Sequence, residues 1–471
     1  MKSDGKIPVR KNDDITLSIE GLTGEGQGVG RVEGFAVFVI GALFGETVRA
    51  HVIKVEKSYA VAKLVEVLTP SPDRVAPRCP VFAQCGGCTL QHLSYPAQRR
   101  AKQQQVIDAL TRLGGLNDVT VRPILGMDEP WRYRNKGSFP VGSVAGAAVF
   151  GFYAERSHRL VALSDCPIQD ERIVEIAART CAWANEHGVS IYDESTQRGN
   201  LRHIVARALS TGETMATIVT RGPLKHRDAL IEALEGVDSV WHNLNPADTN
   251  VIFGETFTLL AGKETLTEQI GDNRFRVSPQ SFLQVNARQT AALYEAAVEL
   301  LSPHPNDTVV DAYCGIGTIS LMLSSRVKRV IGIEQVRAAI DDATGNAAAN
   351  GVENATFLCG DTEDVLPELL QKGERVDAVV LDPPRKGCDE RALAAIADAG
   401  IQRIAYVSCN PATLARDCKY LAARGYRLVC AQPVDMFPQT SHVECVALLC
   451  KEEIDVSAEG DMASADTVKK R

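Results

Sequence analysis

The sequence lacks long apolar runs, an apolar segment near its N-terminus, and a strong excess of charge of either sign. No stretch approaches the ~18 consecutive apolar residues that a membrane span needs, and residues 1–13 contain no hydrophobic core of an export signal. The 51 basic and 59 acidic side chains leave a net charge of −8 over 471 residues. With 45% hydrophobic and 23% charged residues, the composition excludes a fibrous or broadly disordered chain. We expect a cytoplasmic globular protein.

The length predicts two to four domains, because one hydrophobic core serves roughly 100–200 residues. Residues 14–69 alternate apolar and polar side chains between glycines, which predicts a small antiparallel β-barrel. A proline-containing linker at 71–77 follows, and residues 121–271 mix short strands with helices in an α+β pattern. After Leu293, apolar strands alternate with helices, which indicates a doubly wound parallel sheet with its ligand site at the carboxyl ends of the strands.

Cysteine is the unusual component of the composition. The odd number, thirteen, in a chain without an export signal argues against a secreted disulfide framework. Cys79, Cys85 and Cys88 lie close together in the sequence, with Cys166 as a distant fourth member. Four converging thiolates hold either tetrahedral zinc or an iron–sulfur cluster, and the spacing alone does not choose between them. Incidental packing of three cysteines is the alternative.

A glycine loop and two acidic residues predict a nucleoside site in the C-terminal sheet. Gly315 and Gly317 follow an apolar strand and precede a helix, while Glu334 ends the next strand. Such glycines let the backbone approach a ligand, and the acid can accept hydrogen bonds from ribose hydroxyls, as NAD and S-adenosylmethionine both require. A tight strand-to-helix turn would explain the glycines alone. A third strand ends in Asp382-Pro-Pro-Arg385, for which NAD enzymes have no common use, and this favours S-adenosylmethionine.

Cys409 lies in a Ser-Cys-Asn-Pro segment between a strand and a helix. Asn410 is a good N-cap and Pro411 suits the first helical position, so we expect Cys409 at the positive end of a helix dipole. That position predicts a lowered thiol pKa and a nucleophilic role. Further on, His442 and Glu444 lie two residues apart on one face of a strand, and either could act as a general base.

In this order, the Asp-Pro-Pro-Arg, Ser-Cys-Asn-Pro and Phe-Pro…His-Val-Glu segments resemble those of the bacterial RNA uracil-C5 methyltransferases, especially the 23S ribosomal RNA branch with an N-terminal TRAM domain. The resemblance spans residues 14–451. It implies an α/β protein with a Rossmann-like S-adenosylmethionine methyltransferase domain, an OB-like TRAM β-barrel that binds RNA, and a central α+β domain. The implied boundaries are 8–70 for the barrel, 71–277 for the central domain and 278–451 for the catalytic domain. Residues 452–471 lie outside the resemblance, and their acidic, weakly apolar composition predicts a disordered tail.

The resemblance also implies roles for individual residues. It implies a [4Fe–4S] cluster, and therefore iron rather than zinc, on Cys79, Cys85, Cys88 and Cys166. It implies S-adenosylmethionine contacts from Gln284, Tyr313, Glu334 and Asp382. Cys409 matches the family's nucleophile and Glu444 its general base.

The implied activity is methyl transfer to C5 of a uridine, most directly in 23S ribosomal RNA, through a covalent bond between Cys409 and C6 of a base extruded from its stack. The alternatives are the same reaction on transfer RNA, a non-catalytic RNA-binding or assembly factor, and an NAD-dependent oxidoreductase. We expect RNA as the partner, with no membrane, no obligate protein partner and a monomeric state. Candidate RNA contacts in the central domain are Arg132, Tyr133, Arg134, Lys136, Arg156, His158, Arg159, Arg198, Arg202 and His203.

Overall fold

A computed structural model describes residues 7–452 and divides the chain into two compact units. The first unit contains the described residues up to Gln105, together with Ile124–Ala292 and Val434–Val443. The second contains Val106–Pro123, Leu293–Pro433 and the described residues from Glu444 onward. Of the predicted disordered tail, 452–471, all residues after Glu452 lie outside the described residues. Within residues 7–452, no helix has the length and apolar character that crossing a membrane requires.

The first unit begins with a closed five-stranded barrel in the order β1-β2-β3-β5-β4. Alternate residues of the strands point inward, so that Val37, Val39, Ala60 and Ala62 are fully buried. Closure leaves no unpaired strand edge. The strands are β1 Asp14–Leu22, β2 Gly28–Val32, β3 Phe35–Ile40, β4 Thr47–Val55 and β5 Tyr59–Thr69.

A seven-stranded sheet in the order β13-β12-β11-β10-β7-β8-β9 forms the rest of the first unit, with a separate β14-β15 hairpin. Its buried face packs against α2, which begins at an N-cap where Asp170 accepts a hydrogen bond from the Arg172 N–H. The elements are α1 Tyr95–Asp108, β7 Lys136–Val144, β8 Ala147–Tyr153, β9 Leu160–Ala162, α2 Glu171–Glu186, β10 Leu201–Ala208, β11 Thr214–Thr220, α3 Arg227–Ala233, β12 Ser239–Leu244, β13 Thr256–Gly262, β14 Leu266–Ile270 and β15 Asn273–Val277. From Val106 on, α1 and the π-helical turn Ala109–Leu113 that continues it belong to the second unit.

The second unit is built on an eight-stranded sheet in the order β18-β17-β16-β19-β20-β22-β21-β6. Its strands are β6 Thr120–Val121, β16 Thr308–Ala312, β17 Arg329–Glu334, β18 Ala355–Cys359, β19 Ala378–Leu381, β20 Arg403–Ser408, β21 Tyr426–Val434 and β22 Glu444–Lys451. The helices are α4 Ala287–Leu301, α5 Thr318–Ser324, α6 Arg337–Ala349, α7 Thr362–Gln371, α8 Glu390–Asp398 and α9 Pro411–Ala422.

The predicted doubly wound sheet is confirmed. Strands β16 to β20 run parallel, and β22 is antiparallel to β20. From β16 the chain moves outward to β17 and β18, then returns to β19 on the other side, so the strand order reverses between β16 and β19. Every residue of β16 and β19 is buried, which explains the continuous apolar sequence of β19 and the mostly apolar sequence of β16. A crevice at this reversal is where ligands bind in open α/β sheets.

The two units do not follow the predicted domain boundaries. Residues 106–123, predicted in the central domain, belong with the C-terminal sheet, because β6 pairs with β21 through Thr120 and Cys430. Residues 278–292, predicted in the catalytic domain, belong to the first unit. A two-residue strand carries no periodic signal, so the sequence pattern could not have indicated this pairing.

Candidate active site and cysteine cavity

The carboxyl edge of the C-terminal sheet brings together Glu334, Asp382, Cys409 and Glu444. Glu334 ends β17, while Asp382 and Cys409 directly follow the parallel strands β19 and β20. Glu444 opens β22, which is antiparallel to β20 with Ser408 opposite Cys445. The next pair of residues along these two strands is therefore Cys409 and Glu444. Residues 35 positions apart in sequence become neighbours because β22 enters the sheet in the reverse direction.

Burial raises the pKa of two carboxyl groups of this site to near neutral pH. Glu444 is 3% exposed, and its burial together with the charge of Asp382 raises its pKa to about 8, against an opposing effect of Arg385. Asp382 retains part of its surface at the edge of the sheet, yet burial of its carboxyl group and the nearby Asp311 raise its pKa to about 7. The hydroxyl of Tyr294 donates a 3.3 Å hydrogen bond to Asp382 Oδ2. The site thus holds groups that exchange protons near physiological pH.

The helix after Cys409 has the predicted geometry, but the thiol does not have the predicted pKa. Asn410 caps α9 by accepting a 3.0 Å hydrogen bond from the Ala412 N–H, and Pro411 occupies the first helical position. Nevertheless the pKa of Cys409 is raised, first by its partial burial and then by the negative charges of Glu444 and Asp382, with Arg385 opposing them. The expectation of a lowered thiol pKa was wrong, because burial of the thiol and the charges of two carboxyl groups raise it.

The raised pKa of Glu444 predicts a pH-dependent stability. The folded protein holds a proton on Glu444 up to about pH 8, whereas an unfolded chain releases it above about pH 4.5, so stability falls as pH rises between these values. Glu444→Gln mimics the protonated acid and removes this loss. A shift of one pKa unit corresponds to about 1.4 kcal/mol. We therefore expect the free energy of unfolding of the variant to exceed that of the native protein by about 2 kcal/mol or more at pH 8, with little difference at pH 4.5. Urea unfolding at both pH values measures this.

The matched control for that experiment is Glu353→Gln, a glutamate exposed on the surface of the same unit. Its effect on stability should be small and the same at the two pH values. A Glu444→Gln protein whose gain in stability does not grow with pH would contradict the raised pKa.

The glycine loop after β16 is pinned to Glu334. The Gly315 N–H donates to Glu334 Oε2 at 3.3 Å, and the Val336 N–H donates to Oε1 at 2.8 Å. Gly315 has φ of 54°, a conformation that favours glycine, and open space lies where a side chain would project from it. Tyr313, also at positive φ, precedes the loop with its N–H bonded to the Ile333 carbonyl at 2.9 Å. A fixed carboxylate beside an open backbone loop fits the ribose and methionine portions of S-adenosylmethionine.

A buried polar network that sequence reasoning missed fixes the loop after Asp382. The Asp417 carboxylate, 2% exposed, accepts hydrogen bonds from the Tyr406 hydroxyl at 2.6 Å, the Cys388 N–H at 2.9 Å and Arg416 Nε at 2.7 Å. Arg416 also donates to the Lys386 carbonyl at 2.9 Å. These bonds fasten the loop that carries Arg385 to α9, the helix that follows Cys409. An Arg-Asp pair in a helix gives no sequence signal of such a role.

Gln284, the remaining predicted cofactor contact, lies in the first unit. Its carbonyl accepts a 3.2 Å hydrogen bond from Asn135 Nδ2, and the next carbonyl, of Val285, accepts one from the Asn135 N–H at 2.8 Å. The fully buried Arg207 guanidinium donates to the Ser281 carbonyl. Residues just before β7 and on β10 therefore hold this segment, and Gln284 itself is half-buried.

The four predicted ligand cysteines line one cavity of about 360 Å³ in the first unit. Burial raises the pKa of each thiol. With a smaller contribution from the neighbouring cysteines, the pKa reaches about 12 for Cys88 and about 11 for Cys166. The side chain of Gln91 accepts a 3.0 Å hydrogen bond from the Cys79 N–H. The Gly87 N–H points to Cys85 Sγ at 3.4 Å, as expected for a glycine that brings backbone donors close to sulfur.

This cavity does not by itself define a metal site. Within residues 7–452, no group of three or more histidine, cysteine, aspartate or glutamate side chains has a geometry that could hold a metal ion. A single zinc ion needs four sulfurs about 2.3 Å from one point. The four thiols instead line a cavity, and among the described residues they do not form a group with metal-binding geometry. The structure therefore does not show the predicted cluster.

Two of the predicted RNA contacts have structural roles instead. Arg202 is 4% exposed, and its guanidinium donates to the carbonyls of Asn245 at 2.9 Å and Ala247 at 2.7 Å. Tyr133 is buried, and its hydroxyl donates to the Pro438 carbonyl at 3.0 Å. The interpretation of these two as direct RNA contacts was wrong, because the basic or aromatic character of a residue does not reveal its burial. The predicted contacts that lie exposed on the surface are Arg156, His158, Arg159 and Arg198.

The fold and the carboxyl-edge site define a Rossmann-like methyltransferase with an appended β-barrel. A family model described as tRNA (uracil-5-)-methyltransferase matches residues 258–452, and a TRAM domain model matches residues 8–65. Proteins described as uncharacterized RNA methyltransferases are 49% identical over 453 residues in Halalkalibacterium halodurans, covering 95% of this chain and 99% of the relative, and 47% identical over 455 residues in Clostridium tetani, covering 95% and 98%.

Among solved structures, the Pyrococcus abyssi tRNA (uracil-54, C5)-methyltransferase in complex with S-adenosyl-L-homocysteine is 29% identical, with a TM-score of 0.76, covering 92% of this chain and 99% of that one. The chain belongs to the family of RNA uracil-C5 methyltransferases with an N-terminal TRAM domain. It is an S-adenosylmethionine-dependent RNA methyltransferase, and the family resemblance predicted from the sequence is confirmed at this level.

Proposed function

We propose that this enzyme methylates C5 of a specific uridine in 23S ribosomal RNA, with Cys409 as nucleophile and Glu444 as base. The observation that carries the mechanism is the meeting of these two residues at the ligand edge of the sheet, as the β20–β22 register requires. The ribosomal target rests on the sequence resemblance to the 23S branch. Such a substrate predicts a cytoplasmic location, and a monomeric state stays a prediction.

The proposed reaction begins with attack of the Cys409 thiolate on C6 of the extruded uracil. Uracil C5 is a weak nucleophile, but the new S–C6 bond gives an enolate with electron density at C5. C5 then forms a bond to the methyl carbon as the sulfonium–carbon bond breaks and S-adenosylhomocysteine leaves. Glu444 takes the remaining C5 proton, and the resulting electron pair expels the Cys409 thiolate. The products are 5-methyluridine and the free cysteine.

The electrostatics of the site support these roles. A general base works best when its pKa lies near the operating pH, and burial beside Asp382 brings that of Glu444 to about 8. Arg385 opposes the rise in the pKa of Cys409 and of Glu444, so its positive charge favours both the thiolate and the carboxylate. The loop that carries Arg385 is itself fixed through Asp417, as described above.

For the cofactor we propose contacts from Tyr313, Glu334 and Asp382. The half-buried Glu334 carboxylate is suited to accept from the ribose hydroxyls, next to the backbone of Gly315. Asp382 lies at the carboxyl end of β19, beside the reversal of strand order, where a ligand's polar groups reach a sheet of this kind. The contact of Gln284 is proposed on the sequence resemblance alone.

We further propose that Cys79, Cys85, Cys88 and Cys166 hold the [4Fe–4S] cluster. All four line a single cavity, which supports a polynuclear group with its own sulfides more than a single zinc ion. When bound, such a cluster would supply four strong iron–sulfur bonds that join the loop around Cys85 to the distant Cys166. Iron and sulfide analysis of anaerobically purified protein tests this assignment.

The similarity to a solved tRNA (uracil-54, C5)-methyltransferase favours transfer RNA as the second candidate substrate. Mapping 5-methyluridine in both RNA classes, from cells with and without the gene, separates the two. In cells without the gene, we expect one or more 5-methyluridines to be lost completely from 23S ribosomal RNA. Transfer RNA should keep all of its 5-methyluridine. Restoring the gene with Cys409→Ala should not restore them.

Loss confined to transfer RNA would contradict the ribosomal proposal and support the second candidate. If neither RNA loses 5-methyluridine, both targets are wrong. A non-catalytic assembly factor would instead be indicated if the purified protein incorporated no labelled methyl group into any RNA of the cell.

A further inference from the structure

The loop that carries three of the cavity cysteines is hydrogen-bonded to residues 434–443, the segment that precedes Glu444 in the chain. Thr89 directly follows Cys88, and its N–H and that of Leu90 both donate to the Gln439 carbonyl, at 3.1 and 3.0 Å. In return, the Ser441 N–H donates to Thr89 Oγ1 at 2.8 Å. Three hydrogen bonds therefore join the two segments immediately beside a cavity cysteine.

Gln98 reinforces this junction from α1. Its Nε2 donates to the Leu90 carbonyl at 3.0 Å and to Gln439 Oε1 at 2.9 Å, while its Oε1 accepts from the Gln439 N–H at 2.9 Å. Gln98 and Gln439 are 1% and 2% exposed. Gln439 has φ of 72°, a conformation that is costly for a residue other than glycine and persists only where its surroundings hold it.

The fourth cavity cysteine is connected to the same segment from the other side. Arg132 donates its N–H to the Pro167 carbonyl and its Nη1 to the Cys166 carbonyl, both at 2.9 Å. The neighbouring Tyr133 donates its hydroxyl to the Pro438 carbonyl at 3.0 Å. Hydrogen bonds therefore lead from the residues beside Cys88 and beside Cys166 to residues 438–441. A group bonded to both cysteines across the cavity would hold both sets of hydrogen bonds in place.

We propose that the cluster bound by the four cysteines holds residues 437–441 in place, with Gln439 in its strained conformation, so that loss of the cluster releases this segment locally. The inference rests on the proposed cluster and gives it a function: the ordering of the chain that leads into the proposed base. It does not require the cluster to take part in methyl transfer. The amides of Gln439 and Ser441 report on the segment directly, because both are donors in the junction.

Hydrogen exchange of the full-length protein, followed by mass spectrometry, tests this inference. We compare the iron-loaded protein, the same protein after iron chelation, and Cys166→Ser. Without the cluster, exchange in residues 437–441 should rise by about tenfold or more, while the barrel strands β1–β5 and the β10–β11 pair keep their protection. Cys181→Ser, which removes a buried thiol outside the cavity lining, is the matched control and should leave iron content and exchange unchanged.

A second variant, Thr89→Val, tests the junction without removing a cysteine. It should retain iron and still raise exchange at Ser441, whose acceptor is lost. Unchanged protection of 437–441 after iron removal overturns the inference, as does a rise that extends equally to the barrel. Absence of iron from the native protein overturns the cluster proposal and this inference together, whereas methyl incorporation into RNA, measured on the same preparation, tests the methyltransferase mechanism separately.

Discussion

Cys409→Ala should abolish methyl transfer to RNA while the protein remains folded. Without a sulfur at this position, no bond to C6 forms, and C5 keeps too little electron density to take up a methyl group. Loss of the nucleophile in an enzyme that works through a covalent intermediate lowers turnover by about 10⁴-fold or more. Incorporation of labelled methyl groups into RNA measures this effect. RNA affinity should change little, since the thiol contributes to the reaction rather than to phosphate contacts.

Cys359→Ala provides the matched control, because Cys359 is an exposed thiol at the end of β18, the edge strand of the same sheet. Its activity should equal that of the native enzyme. Substantial turnover by the Cys409→Ala protein would show that the nucleophile is another residue or that no covalent step occurs.

Glu444→Gln should stop the reaction one stage later and accumulate a covalent protein–RNA complex. The thiol of Cys409 can still add to C6, and C5 can still accept the methyl group. The C5 proton then has no base to remove it, so elimination of the thiolate stalls. We expect release of 5-methyluridine to fall by about 10³-fold or more, with a complex that survives denaturing electrophoresis.

His442→Gln distinguishes the two possible bases that the sequence left open. His442 is exposed, and its replacement should leave turnover near that of the native enzyme. Rapid release of 5-methyluridine by Glu444→Gln, combined with an inactive His442→Gln protein, would reverse the assignment.

The fold was largely predictable from the sequence, because its signals are local. Alternating residues predicted the barrel strands, and continuous apolar runs such as β19 predicted a buried parallel sheet. The carboxyl-edge position of Glu334, Asp382 and Cys409 followed from parallel strands alone. Glu444 joins them for a reason that residue patterns did not contain, namely the antiparallel entry of β22 beside β20.

Properties that depend on tertiary surroundings were not predictable in the same way. The helix dipole suggested a lowered pKa for Cys409, but partial burial of the thiol, together with the charges of Glu444 and Asp382, raises that pKa. Arg202 has the positive charge expected of an RNA contact, but its guanidinium is buried and donates to backbone carbonyls. The hydrogen bonds between Gln98 and Gln439 join residues 341 positions apart, so no short-range sequence pattern could reveal them.

The most direct test of the central claim uses an RNA substrate that carries 5-fluorouridine in place of uridine, incubated with the native enzyme and S-adenosylmethionine. Fluorine at C5 cannot leave as a proton does, so the intermediate is trapped after methyl transfer. The mechanism predicts a peptide containing Cys409 that carries one methylated fluorouridine through its sulfur, as identified by mass spectrometry after digestion. An adduct on a different residue, or no adduct from an enzyme that methylates ordinary RNA, would contradict it.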